Sequence, residues 1–112
     1  SSQNDLGQNY KLGLALVYEN FDAKKIAEDI KAFKIHEGIS QDAKILYAQI
    51  TGSYIAGKEK EDAGRVKALV FSLKLRKELP GIFENAPTNL AASPDLKGES
   101  VGLKLTFIEK VN

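Results

Sequence analysis

Hydrophobic residues recur at every second position in several stretches of the chain, and this period is typical of β-strands. The first such stretch, residues 10–20, is largely apolar on both faces, which predicts a central strand rather than an edge strand. The last, residues 102–111, has one wetter face. We expect both stretches to be strands of one sheet.

A longer patterned region covers residues 42–77. Its first part contains the sequence ITGSYI, in which β-branched residues are combined with Gly and Ser, and each of these disfavours a helix interior. We therefore predict a strand over residues 44–57. A strand of that length needs a neighbour, and a second patterned segment of similar length follows after a charged turn that ends at Gly64.

In that second segment the apolar residues alternate with Ser, Lys and Arg; they are Leu69, Phe71, Leu73 and Leu75. This period of two predicts that residues 42–77 form a β-hairpin. A helix is the alternative for the second arm, because another set of residues also shares one helical face; these are Val66, Leu69, Val70 and Leu73.

One clear helix is predicted between the first strand and this hairpin. Asp22 is a suitable N-cap, and Gly38 is a suitable end. Between them a buried stripe repeats every three or four positions, at Ala23, Ile26, Ala27, Ile30 and Phe33. The remaining positions are mostly charged, as expected for the face of a helix that meets water.

Residues 79–98 contain all three prolines, which forbid a long helix, although Pro80 can begin a single turn. The order strand, helix, strand, strand, short helix, strand predicts an α+β fold with a four-stranded antiparallel sheet, ferredoxin-like or a variant with one helix. Residues 1–9 are expected to be a flexible tether, and residues 10–112 a single domain. The predicted core is Leu14, Leu16, Ile26, Ile30, Phe33, Ile50, Leu69, Phe71, Leu73, Leu105 and Phe107.

Composition narrows the possible chemistry. The 112 residues include 16 Lys and Arg and 15 Asp and Glu, so a net charge of +1 gives no overall field that would attract nucleic acid. The absence of Cys and the presence of one His exclude disulfides, thiolate chemistry and multi-histidine metal sites within the chain. Glycine-rich phosphate-binding motifs are also missing. We therefore predict no catalytic residue, no cofactor, no metal and no nucleic-acid partner.

The N-terminal sequence SSQNDLGQN resembles the segment that follows the modified cysteine of a bacterial lipoprotein, since two serines precede small polar residues. The resemblance implies a periplasmic or outer-membrane location, with the membrane reached only through this lipid anchor. The alternatives are a frayed end or the remainder of a cleaved tag, with a cytoplasmic location. Because the sequence contains no Met, we also expect it to be a processed product or an excised piece.

The loop 79–98 is the predicted partner-binding segment, because it exceeds the usual length of a connection. Its apolar residues Ile82 and Phe83 have little regular structure to bury them, although they can also close the open end of the core. A basic strip along one strand is a second candidate for binding, and a solvated face is its alternative. That strip consists of Arg65, Lys67, Lys74, Arg76 and Lys77. We expect His36 to complement a helix dipole rather than to act as an acid or base.

Three functions are compatible with these features. The first is a non-enzymatic protein-interaction module, exported and lipid-anchored, that serves a bacterial envelope assembly such as a secretion system. It would bind a protein through its sheet edge and the 79–98 loop, by strand addition or by docking of an apolar anchor. The alternative is a small-molecule-binding or regulatory module, dimeric through its sheet, with the ligand between the sheet and the proline-containing loop. The third is a small enzyme that uses carboxylates alone.

Overall fold

The computed structural model describes residues 9–58 and 60–110. The elements in chain order are β1 (Asn9–Tyr18), α1 (Ala23–Glu37), β2 (Lys44–Ser53), α2 (Glu61–Glu78), α3 (Pro80–Phe83), β3 (Thr88–Ser93) and β4 (Val101–Lys110). The predicted α+β class, the four-stranded sheet and the short helix that begins at Pro80 are confirmed. Apart from Asn9, which begins β1, the predicted tether and its lipid anchor lie outside the described residues.

The four strands form one mixed sheet in the order β1-β4-β2-β3. Strand β4 lies between β1 and β2 and is antiparallel to both, whereas β2 and β3 are parallel. The sheet is therefore mostly antiparallel, with one parallel pair. The prediction of a central position for the first strand is wrong, because β1 is at an edge. Half of its apolar pattern comes from Gly13, Ala15 and Val17, which are exposed on the outer face.

The predicted hairpin is wrong in its second arm, where residues 61–78 form helix α2. The alternation that suggested a strand arises because α2 carries apolar residues on two opposite faces. Phe71 and Leu75 are buried against the sheet, whereas Leu69 and Leu73 are exposed. The assignment of Leu69 and Leu73 to the core is therefore wrong as well. Strand β2 pairs with β4 and β3 instead of with a hairpin partner.

Both long helices pack on one face of the sheet. On α1 the Phe33 ring stacks on Phe107 of β4, with 5.6 Å between the ring centroids. On α2 the Phe71 ring stacks on Tyr18 of β1 at 6.4 Å. Cross-strand register places the inward residues of β1, β4 and β2 on this same face. The largest fully buried side chains of the resulting core are Phe83, Phe107, Ile26, Ile50, Leu75, Leu103 and Leu105.

Helix α1 begins and ends where the sequence predicts. The carboxylate of Asp22 accepts a hydrogen bond from the backbone N–H of Lys25 at 3.1 Å, which satisfies one of the free donors of the first turn. Gly38 ends the helix with φ of 70°, a left-handed conformation that favours glycine. The side chain of His36 is exposed in the last turn, as expected for a residue that complements the helix dipole.

Two polar side chains of this layer are held in place by hydrogen bonds. The Tyr18 hydroxyl donates to Asp29 at 2.7 Å, and burial together with this contact raises the pKa of Tyr18 above its ordinary range. The buried Lys34 donates to the carbonyl oxygens of Gln41 and Ala43 at 2.9 and 3.0 Å. Burial lowers the pKa of Lys34, because the charged form loses its hydration.

The predicted long loop 79–98 is in fact divided among α3, β3 and two short connections. Phe83 is only 1% exposed and belongs to the core, while Ile82 is half-buried and packs against it. These two residues therefore close the end of the core, which was the alternative interpretation. Arg76 holds this segment onto α2, because its guanidinium donates to the Ala86 carbonyl at 3.1 Å and to the Thr88 hydroxyl at 3.0 Å.

Candidate partner-binding surface

The solvent-facing side of α2 carries an apolar stripe, here called the outer stripe. It consists of four aliphatic residues that follow one another at helical spacing and are each between 44% and 57% exposed: Val66, Leu69, Val70 and Leu73. The opposite side of the helix is buried on the sheet through Ala68, Phe71 and Leu75. An ordinary surface helix presents charged and polar residues to water, so α2 departs from the usual pattern.

Charged residues border the outer stripe. Four cations of α2 have no acidic partner at ion-pair distance within the described part of the chain; they are Lys67, Lys74, Arg76 and Lys77. Lys67 instead donates to the Ser53 carbonyl at 2.9 Å, and the Lys74 ammonium lies 5.9 Å from the centre of the Phe21 ring. An apolar centre with a charged border is the usual arrangement of a protein-binding surface.

The first turn of α2 has the opposite charge. Arg65 donates to Glu61 and Asp62 at 2.6 and 3.0 Å, and these hydrogen bonds raise the pKa of the Arg65 guanidinium. All three side chains are solvent-exposed, so the ion pairs contribute little to stability. The last turn contains Arg76 and Lys77. The outer face of α2 is therefore acidic at its beginning and basic at its end.

A cleft of about 350 Å³ runs along one side of the outer stripe. Its apolar wall comes from Phe21, Val66 and Val70. Its charged rim comes from Lys67 and Lys74 of α2 together with Glu19 and Glu99 from the connections that lead out of β1 and into β4. The cleft lies open beside the stripe, and it extends the apolar surface that a bound protein would cover.

The second face of the sheet has no helix over it among the described residues. The exposed side chains there are mostly small or polar, and the turn at residues 94–98 reaches over part of this face through Leu96. Between this turn and the sheet lies a pocket of about 340 Å³ that is lined by Thr51, Ala91 and Gly102 among others. This is the position that the small-molecule hypothesis requires.

Strand β1 is the longer of the two sheet edges. It has ten residues, pairs with β4 in an unbroken register and contains no proline. Strand β3, at the other edge, has six residues. A long and regular edge strand offers unpaired backbone groups to an added strand. The edge of β1 is therefore the position at which the predicted strand addition would occur.

The predicted partner-binding residues do not form one cluster in the structure. Phe83 and Ile82 pack in and against the core, so the apolar anchor predicted for the 79–98 segment does not project from the surface. Arg65, Lys67 and Arg76 lie on helix α2 and not along a strand, and each is engaged in the hydrogen bonds described above. Partner binding by these five residues stays a prediction.

The sequence pattern places the four residues of the outer stripe on one helical face. That helix was only the alternative to the predicted strand, so the stripe was not predicted as a surface. The signal that could have found the stripe was present, because Phe71 and Leu75 fall on the other side of the same helix. Apolar residues on opposite helical faces indicate a helix buried on both sides. In the described structure only one of these sides is covered.

Groups of acidic or histidine side chains that could hold a metal ion do not occur among residues 9–58 and 60–110. Within the same ranges, no helix combines the length and the hydropathy needed to cross a bilayer. Comparison of the chain with protein-family models, with curated proteins and with solved structures finds no match.

Proposed function

We propose that the protein is a non-enzymatic protein-interaction module that binds its partner through the outer stripe of α2. The observation that carries the proposal is the presence of four half-exposed aliphatic side chains on one helical face, directly opposite the face that packs on the sheet. Fully burying an aliphatic side chain of this size contributes roughly 1.5–3 kcal/mol. These side chains are only about half-buried in the fold, so a partner that covers them gains the free energy of burying the remaining exposed half.

The surroundings of the stripe support the same proposal. The cleft beside it is open to solvent, and its lining includes two cations and two carboxylates, Lys67, Lys74, Glu19 and Glu99. Charges at the edge of an apolar patch set orientation and exclude wrong partners more than they add affinity. The long edge of β1 is a second surface at which the chain can add a strand from a partner.

Site-specific photo-crosslinking in the source cells tests the proposal. A photoreactive residue in place of Leu69 should give a discrete crosslinked product, which should disappear when Leu73→Glu is added. The matched control places the same residue at Lys31, an exposed position of α1. If Leu69 and Lys31 give the same products, or neither gives any, the outer stripe is not a binding surface and the proposal fails.

Export and lipid anchoring, as an accessory protein of a bacterial envelope assembly, are a further part of the proposal that depends on residues 1–8 and on what precedes them. The intact mass of the native protein, extracted from its own membranes, tests this part. A diacyl or triacyl modification on a cysteine ahead of Ser1 is the expected result. An unmodified protein recovered from the cytoplasm would contradict export without affecting the role of α2.

A small-molecule-binding module is the second candidate, and the pocket between the sheet and the 94–98 turn favours it. A ligand there would contact Thr51, Ala91 and Gly102 and leave the stripe free. Screening of a metabolite library by NMR should then shift the amide signals of these three residues together. Shifts confined to the cleft beside α2, or no shifts, would contradict this candidate.

A further inference from the structure

We propose that the partner on the outer stripe is a second copy of this chain, bound with its α2 antiparallel across a two-fold axis. This inference rests on the proposed function and identifies its partner. A two-fold interface uses the same patch on both copies, so the patch must be complementary to itself. The outer stripe meets this condition both in the spacing of its residues and in their charge.

The spacing of the stripe is symmetric about its own centre. Residues along it are Asp62, Val66, Leu69, Val70, Leu73 and Lys77. When two such helices lie antiparallel with their centres between Leu69 and Val70, Val66 of one copy is level with Leu73 of the other. Leu69 is then level with Val70. Every aliphatic residue of the stripe thus meets an aliphatic residue of the second copy.

The charges at the two ends of the stripe become complementary in the same arrangement. Asp62 lies four positions before Val66, and Lys77 lies four positions after Leu73. The antiparallel pair places Asp62 of each copy level with Lys77 of the other, which creates two symmetry-related ion pairs. Lys77 has no ion-pair partner among the described residues, and Asp62, whose Oδ1 accepts from Arg65 at 3.0 Å, is 80% exposed and can accept a second cation.

A parallel pair would have the opposite effect. Asp62 would face Asp62 of the second copy at one end, and Lys77 would face Lys77 at the other. Like charges in direct opposition disfavour an interface. The helix dipoles also favour the antiparallel arrangement, because the positive end of one helix then lies beside the negative end of the other.

The size of the stripe sets the strength of the association. A helix of 18 residues is about 27 Å long, and one face of it buries less than the roughly 800 Å² per partner of a standard stable interface. We therefore expect a dimer that dissociates on dilution. A membrane surface fits less well, because the stripe lacks aromatic residues and one of its ends is acidic.

Charge reversal tests the two-fold pairing on the full chain by analytical ultracentrifugation over a concentration series. Asp62→Lys and Lys77→Asp should each weaken dimerisation about tenfold, since each variant turns two attractive pairs into repulsive ones. An equimolar mixture of the two variants should dimerise as well as the wild type, because every pair across the mixed interface is again of opposite charge. A dimer that is unaffected by either variant lies elsewhere and overturns the inference.

Cysteine pairing tests the direction of the helices, and the chain has no cysteine of its own to interfere. Under mild oxidation, a mixture of the Val66→Cys and Leu73→Cys variants should form a mixed disulfide, and Val66→Cys alone should not form a disulfide with itself. Efficient self-linking of Val66→Cys would indicate a parallel pair and overturn the proposed geometry.

The two proposals fail in distinguishable ways. A protein that stays monomeric at all concentrations, while the photoreactive residue at Leu69 captures a different chain, overturns self-association and leaves the interaction module standing. Binding to vesicles of anionic phospholipid that Leu73→Ser abolishes would replace both protein partners with a membrane surface. A monomer with no specific crosslink at Leu69 and no vesicle binding overturns both proposals.

Discussion

Gly52 of β2 and Gly64 of α2 pack backbone against backbone. A Cβ atom on Gly52 would overlap the carbonyl oxygen of Gly64, and a Cβ atom on Gly64 would lie 2.7 Å from both the Gly52 oxygen and the Ala92 Cβ. The absence of side chains at these two positions lets the first turn of α2 lie directly on the sheet. This contact fixes the rotation of α2 about its own axis and thereby aims the outer stripe at solvent.

Substitution of Gly52 by alanine should therefore push α2 away from β2. We expect Gly52→Ala to lower the free energy of unfolding by about 1–3 kcal/mol or more, as measured by urea denaturation, because the added methyl group meets backbone atoms that cannot move aside. Gly13→Ala in β1 is the matched control, because a Cβ atom there meets nothing within 4 Å. Equal effects of the two substitutions would contradict the close packing.

The two faces of α2 should respond differently to truncation. Leu75 is 1% exposed, so Leu75→Ala should cost roughly 2–5 kcal/mol of unfolding free energy. Leu73 lies on the outer stripe, and Leu73→Ala should cost well under about 1 kcal/mol in dilute protein, where the proposed dimer would dissociate. Chemical denaturation at low protein concentration measures both variants. A larger loss from Leu73 than from Leu75 would mean that α2 is rotated relative to the sheet.

Phe83 should contribute to stability rather than to binding. Phe83→Ala is expected to cost about 3–5 kcal/mol, because it removes one of the largest fully buried side chains of the core. Ile82→Ala should cost less, since Ile82 is only half-buried at the margin of the core. Thermal unfolding followed by circular dichroism compares the two. A fully stable Phe83→Ala protein would restore the interpretation of this segment as a partner-binding loop.

Tyr18 should make the fold sensitive to alkaline pH. Burial and the hydrogen bond to Asp29 raise the pKa of Tyr18, so above pH ~10 the folded protein keeps a proton that the unfolded chain loses. Stability contributed by this group is complete below pH ~10 and decreases as pH rises. Relative to Tyr18→Phe, the wild type should lose up to about 1.4 kcal/mol of unfolding free energy per pH unit above pH ~10.

Urea denaturation of both proteins between pH 8 and pH ~11 measures this difference. The lowered pKa of Lys34 has the opposite sign, because the unfolded chain then binds more protons than the folded one, so its contribution to stability rises with pH. That contribution is common to both proteins and cancels in the comparison. A difference that stays constant with pH would show that Tyr18 ionises equally in the folded and unfolded states.

Helix α1 could be predicted from the sequence in detail because a single physical pattern governs it. Most of its apolar residues fall on one stripe, although Ile35 is exposed on the other side; its N-cap accepts a backbone hydrogen bond, and a glycine ends it. Each signal points to the same element. The strand pairing of β1 with β4 could not be read in this way, because hydrophobic alternation indicates that a strand has a buried face but not which neighbours it has.

Helix α2 could not be predicted because it is apolar on both sides. Alternate leucines satisfy a period of two when some face the core and the others face solvent, so periodicity cannot separate this case from a strand. Strand β3 was missed for the complementary reason. Its sequence TNLAAS has little β-propensity, and parallel pairing with β2 holds it in the sheet.

The candidate surface, too, could be predicted only in part. The residues of the outer stripe were identifiable in the sequence, but their exposure depends on the packing of Gly52 against Gly64, a tertiary contact between segments with no shared local pattern. The basic residues were predicted to lie on a strand because the residues that form α2 were predicted to be one. Of these, Lys67 and Arg76 form hydrogen bonds to distant carbonyl groups that no spacing in the sequence predicts.

The position of β4 has a consequence for the way this chain is made. Strand β4 lies between β1 and β2, so β1 has no partner in the sheet until β4, which is distant from it in the chain, has been synthesised. Among the four described strands, β2 and β3 are the one pair that is consecutive in the chain and also adjacent in the sheet. Pairing of β1 with β4 must therefore close a long stretch of chain, and we expect it to be a slow step in the folding of this protein.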